Sequence, residues 1–110
     1  MKLRLEKPWR DLSEDESAAL PGQLGVFQLA NETGEVVYVG YAGGRELFGL
    51  RSAIERHRKL GTGGATHFRY EVNMQYQSRY RELLMLHVTD NGGLPIANEH
   101  EHPVHLGRIG

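Results

Sequence analysis

Arg56, Arg58 and Lys59 sit together at the end of one helical pattern, and Arg69 follows on the next strand-like stretch. Guanidinium forks at such a place suit the oxygens of backbone phosphates. Arg58 and Lys59 also have a purely structural reason to be there, since cations near a helix C-terminus complement its dipole. His100, His102 and His105 offer a second chemistry, as imidazoles able to ligate Zn²⁺ or Ni²⁺ if the backbone gathers them. Pro103 and Gly107 speak for turns in an ordinary terminal segment instead. Arg51 falls, at about 100° per residue, between Leu47 and Ile54 on the apolar stripe of its helix, where a charge needs a partner. Its stem can pack while the guanidinium reaches water or a core carboxylate. Glu82 falls at the rim of another buried helical face, which suits a metal at a cleft and equally suits an i, i+3 pair with Arg79.

The elements that must position these groups are legible in the pattern. Ser13 and Glu16 form a capping box that opens a short helix ended by Pro21-Gly22. Two strand-like runs, 25–30 and 35–41, flank the turn Asn31-Glu32-Thr33-Gly34 and predict a β-hairpin. After Gly43-Gly44, a helix over about 45–60 places Leu47, Leu50 and Ile54 on one side and ends at Gly61-Thr62-Gly63-Gly64. A third strand over 67–72 follows, then a helix repeating Tyr76, Tyr80, Leu83, Leu84 and His87. Asp90-Asn91-Gly92-Gly93 marks a turn, and a tail after Asn98 is expected as a strand or loop over the sheet edge. The expected fold is α/β of the α+β kind: a small three-stranded sheet flanked by helices, β-β-α-β-α after a short N-terminal helix. Residues 1–110 form a single domain on this pattern, with a core of about 25–98, an N-terminal helical part at 1–24 and a tail at 99–110.

Composition bounds what the chain can be. With 110 residues, 39% hydrophobic and 25% charged, it can bury about two-thirds of its unfolded surface. It has no cysteine, which excludes disulfides and thiolate metal sites. No apolar run is long enough for a membrane helix, and the basic start lacks an h-region, so a cytoplasmic location without membrane association is expected. A net charge of -1 counts against a strongly basic nucleic-acid binder, although the basic patch stands apart from the acidic cluster Asp11, Glu14, Asp15 and Glu16.

Gly25-Val26-Phe27 and Tyr38-Val39-Gly40 on one hairpin, an arginine on the next helix, a glutamate on the last and a late asparagine follow one order. In this the chain resembles the GIY-YIG family, from about residue 25 to 98. The resemblance implies that Arg51 is the helix arginine, Glu82 the metal-binding glutamate and Asn98 the asparagine that closes the domain. Phe27 stands where the family usually has a tyrosine, and phenylalanine moves no proton. The gap before the arginine is longer than usual, which leaves Arg45 as the competing match. One turn past Arg51 stands Glu55, so His57 is the nearest substitute for a helix histidine or tyrosine.

What the resemblance implies for function is hydrolysis of a DNA or RNA phosphodiester bond by a metal-dependent endonuclease. Glu82 would bind one Mg²⁺ or Mn²⁺, Arg51 would stabilise the transition state, and Tyr38 or His57 would handle the proton. Tyr38 is equally suited to a core or cross-strand role. With Phe27 in place of the tyrosine, the other expectation is a GIY-YIG-like binding or interaction module without nuclease activity. A third is a metal carrier built on the tail histidines. A homodimer or a separate partner protein is compatible with each.

Overall fold

In the computed structural model of the protein, residues 3–101 are described, with only the backbone for His100 and Glu101. The hairpin strands β2 (Gly25–Ala30) and β3 (Val36–Ala42) form as expected, joined by a turn in which Gly34 has φ +87. Asn31 fastens the turn, its side-chain oxygen accepting from the backbone N–H of Thr33 and Glu35. β4 (His67–Val72) pairs antiparallel with β2 on its other side. A further two-residue strand, β1 (Arg10–Asp11), pairs with β4, so the sheet has four strands in the order β1-β4-β2-β3. Two residues carry no period-2 signal, which is why three strands were expected.

Helices cover both faces of this antiparallel sheet, making a compact α+β domain. α1 (Glu14–Ala18) starts at Ser13, whose hydroxyl accepts from the Glu16 N–H at 3.2 Å as the capping box requires. α2 (Gly49–Leu60) packs Leu50, Ala53 and Ile54 against Phe27, Leu29, Tyr38 and Phe68. α3 (Tyr76–Asn91) lays Leu83 and Leu84 on Val26 and Val39 of the other face, with Tyr76 and Tyr80 beside them. A one-residue bulge opposite Leu29 and Ala30 lets Val37 and Tyr38 both join the α2 side. Gly61 and Gly92, left-handed at φ 68 and φ 80, end α2 and α3.

Two expectations need correction. The helix bearing Arg51 starts at Gly49, not near residue 45, and Leu47 is 82% exposed instead of lying on an apolar stripe. Gly49 explains the late start: it has φ +54, and a Cβ there would lie 2.3 Å from the Gln23 carbonyl oxygen, to which Leu50 donates its N–H. Only glycine fits that approach, so the chain bends there before the helix begins. The start of the tail is the second: residues 99–101 belong to a helix, α4 (Ile96–Glu101), and not to a strand or loop, while 102–110 lie outside the described residues. The helix still covers the sheet edge, through one residue. Asn98 is fully buried, accepts from the Val39 N–H and donates to the Val39 carbonyl, both at 2.8 Å. Those are the outward-facing groups of an edge strand, satisfied as buried backbone must be. His102 and His105, with the side chain of His100, lie outside the described residues. Among the described residues no helix is long and apolar enough to cross a membrane.

Candidate functional site

The hairpin register sets Phe27 opposite Gly40 and Leu29 opposite Tyr38. Both tripeptide glycines are needed for this packing. A Cβ on Gly25 would meet the Glu71 carbonyl at 2.1 Å, and one on Gly40 would meet the Phe27 and Tyr38 rings at 2.5 and 2.6 Å. With no side chain at Gly40, the two rings settle there, 6.0 Å apart, and His57 comes in from α2. The His57 ring lies 4.5 Å from Tyr38 and 5.7 Å from Phe27, and its Nδ1 is within 2.8 Å of the Thr62 hydroxyl, which fixes the ring's plane.

Tyr38 and His57 open onto a cleft of about 690 Å³ between the end of β3, the loop after it, α2 and the start of α3. Glu46 and Arg56 face each other in it, Arg56 Nη1 donating to both carboxylate oxygens at 2.7 and 2.9 Å. Arg45, Tyr41, Tyr76 and Gln77 complete the working walls. Of the residues singled out in the sequence, the cleft gathers Tyr38, His57, Arg56 and Arg45, the competing match for the helix arginine. Glu46, Tyr41 and Tyr76 were not singled out for it. Tyr41 directly follows the second tripeptide on the opposite strand face to Tyr38, a period-2 signal that was available; Glu46 had none.

Arg51 and Glu82 lie elsewhere. Five residues separate Arg51 from Arg56, or about 140° around the helix, so Arg51 is on another flank, its guanidinium stacked 4.7 Å from the Phe48 ring. The same five-residue step separates Glu82 from Gln77, and Glu82 bonds to Arg79. Arg79 is 9% exposed and reaches Glu71 at 2.9 Å, Glu82 and the Leu3 carbonyl, tying the N-terminal segment to α3 and β4. Burial works against the Arg79 charge, but the hydrogen bonds it donates to Glu71 and Glu82 outweigh this and leave its pKa raised. Burial pushes the Glu71 carboxyl up as well, and the hydrogen bonds from Arg79 and Asn73 more than reverse this, holding it below the usual range.

The basic set divides in the same way. Arg58 is paired with Glu55 at 2.7 Å, and Arg58 and the Ser17 hydroxyl together hold the Glu55 carboxyl below its ordinary range. Arg69 is used internally: it donates to Gln28 at 2.8 Å and lies 4.1 Å from the Trp9 ring, and desolvation lowers its pKa. Lys59 remains exposed at the end of α2.

A divalent cation finds no ready ligand set in this arrangement. Among the described residues no three His, Asp or Glu side chains gather. One Glu82 oxygen, Oε1, is bonded to a guanidinium, and both oxygens of Glu46 are. At Glu46, Mg²⁺ could be held by the carboxylate and a substrate phosphate only after displacing Arg56.

Sheet order, two-sided helix cover and a tyrosine-rich, arginine-bearing cleft at the end of the edge strand define an α+β domain with one hairpin-centred site. Residues 1–90 match the model of a family described as a domain of unknown function (DUF7508), and the chain belongs to that family. No curated protein matches it.

Proposed function

We propose that the protein is a GIY-YIG-like domain that binds nucleic acid at the Tyr38–His57 cleft and does not hydrolyse it. One observation carries this reading: the groups that metal-dependent cleavage would need are on three different flanks. Tyr38 and His57 line the cleft, Arg51 stacks on Phe48, and Glu82 is bonded to Arg79. Phe27 is 1% exposed and brings no hydroxyl to the cleft. Transition-state stabilisation requires its groups within about 3 Å of one reacting phosphate, and neither Arg51 nor Glu82 lines the cleft. Binding asks less, and arginines at a concave, aromatic surface suffice for it.

The second reading is a Mg²⁺- or Mn²⁺-dependent endonuclease. It is favoured by the ring contact of Tyr38 with His57 in the same cleft as Arg56 and Glu46, a proton-transfer pair beside a cation and a carboxylate. It requires a metal at Glu82, whose Oε1 is bonded to Arg79.

Incubating the protein with plasmid DNA, single-stranded DNA and structured RNA, under Mg²⁺, Mn²⁺ or chelator, separates the two. Binding that persists in chelator, with no cleavage of any substrate, is expected. Metal-dependent cleavage abolished by Glu82→Ala would overturn the binding reading and establish the nuclease with its notional ligand.

A further inference from the structure

We infer that the cleft takes one unstacked base and its phosphate from a single-stranded nucleic acid, the base lying on Tyr41 and the phosphate meeting Arg45. This rests on the nucleic-acid reading above and narrows it to a strand type and a contact pair.

Tyr41 points to the α3 side of the sheet, 42% exposed, yet its ring is held firmly. It stacks on Tyr76 at 5.6 Å with 16° between the planes, and Tyr80 braces it at 4.9 Å and 60°. A tyrosine fixed by two others and still open to solvent presents a π-face at low ordering cost, which is what a base requires of a platform. The loop beyond it leaves room. A Cβ on Gly43 would lie 3.0 Å from the Tyr76 ring, so the glycine lets that ring close up to the backbone, while a Cβ on Gly44 would meet nothing within 4 Å.

Charge is placed to match. Arg45 is exposed at the same wall and makes no ion pair among the described residues, whereas Arg56 is neutralised by Glu46. One uncompensated cation beside one aromatic platform suits a single nucleotide. The volume of about 690 Å³ is of small-ligand size. A duplex fits poorly, because its bases are already stacked and its affinity comes from many phosphate contacts, which a chain of net charge -1 does not supply. DNA and RNA share the base and phosphate chemistry, and the experiment distinguishes them.

The experiment is fluorescence anisotropy with an end-labelled ten-nucleotide DNA strand, the same sequence as RNA, and its DNA duplex, in chelator, with folding of each variant checked by circular dichroism. Either single strand, or both, should bind more tightly than the duplex. Tyr41→Ala should weaken the bound strand roughly 5- to 150-fold, the loss expected when one stacking aromatic is removed, and Tyr41→Phe should stay within about two-fold of the native protein because the π-face is kept. Arg45→Ala should lower the slope of log K against log salt by about 0.7, as loss of one single-strand phosphate contact does. Gly44→Phe, at an exposed position with open space, should fill the cleft and abolish binding even if Tyr41→Ala does not fold. Tighter duplex binding, or native affinity in folded Tyr41→Ala or Gly44→Phe, would overturn the inference and leave nucleic-acid binding in place elsewhere on the molecule. Failure of all three probes to bind would overturn both.

Discussion

Replacing Asn98 by alanine removes both partners of the Val39 backbone at once. The amide donates to one group and accepts from the other, each at 2.8 Å, and both residues are fully buried. Water therefore cannot take over without opening the contact between α4 and β3. A buried backbone group left without a partner costs about 1–3 kcal/mol, so two such groups and partial relaxation give a loss of roughly 3 kcal/mol. For a domain of this size a urea slope near the low end of about 1–3 kcal/mol/M turns this into a midpoint lower by about 2–3 M. Urea unfolding followed by far-ultraviolet circular dichroism measures it directly. Asn98→Asp sharpens the test, because a carboxylate still accepts from the Val39 N–H but faces the Val39 carbonyl with no donor. Burial beside that carbonyl raises the folded-state pKa of the introduced acid, so relative to the native protein at each pH the variant should recover stability on acidification and lose it as pH rises. An unfolding free energy for Asn98→Ala within about 0.5 kcal/mol of the native value would refute the claim that this side chain closes the sheet edge.

Leu47→Ser should change stability by less than about 0.5 kcal/mol, since the residue precedes α2 and is exposed, whereas Leu50→Ala, in the core, should cost about 2–5 kcal/mol. Comparable losses at the two positions in urea unfolding would restore the longer helix expected from the sequence. The depressed Glu71 and Glu55 carboxyls bind protons more readily in the unfolded chain, so stability is full above the ordinary carboxylate range and falls as pH drops through their folded-state values. Thermal unfolding between pH 6 and pH 3 should show that decline and show it flattened in Glu71→Gln, and an unchanged slope would contradict the Arg79–Glu71 account.

The sequence made the hairpin legible because its two runs, its Asn-to-Gly turn and its glycines all point the same way, and local agreement of that kind survives tertiary packing. α3 was readable for the same reason, from the spacing of Leu83 and Leu84 with Tyr76 and Tyr80. Leu47 misled because its spacing to Leu50 and Ile54 is helical by count, while the backbone of Gln23, far away in sequence, forces the bend at Gly49. Arg51 was then assigned to the apolar stripe of a helix that starts about four residues too early, and the structure leaves it stacked on Phe48. Arg79 shows the opposite failure. Its pair with Glu82 was an ordinary i, i+3 expectation, but Glu71 and the Leu3 carbonyl that make it a buried hub come from elements no local pattern connects. The Glu46–Arg56 pair in the cleft, ten residues apart across a helix start, was hidden likewise.

The motif residues divide by the work they do, and the division bears on function. Gly25 is required by the close approach of β4, Gly40 by the two rings stacked over it, and Asn98 by the outer edge of β3. Each would be needed in a protein of this fold whether or not it cut anything, so their presence argues for architecture and is silent on chemistry. Reactivity rests on the other motif positions. There Phe27 has no hydroxyl, Arg51 and Glu82 are engaged away from the cleft, and Tyr38, supported by His57, faces it together with Arg45, the competing match for the arginine. A cleft that keeps its scaffold and its aromatic and cationic walls, while Arg51 and Glu82 lie away from it, is the ground on which we propose binding without cleavage.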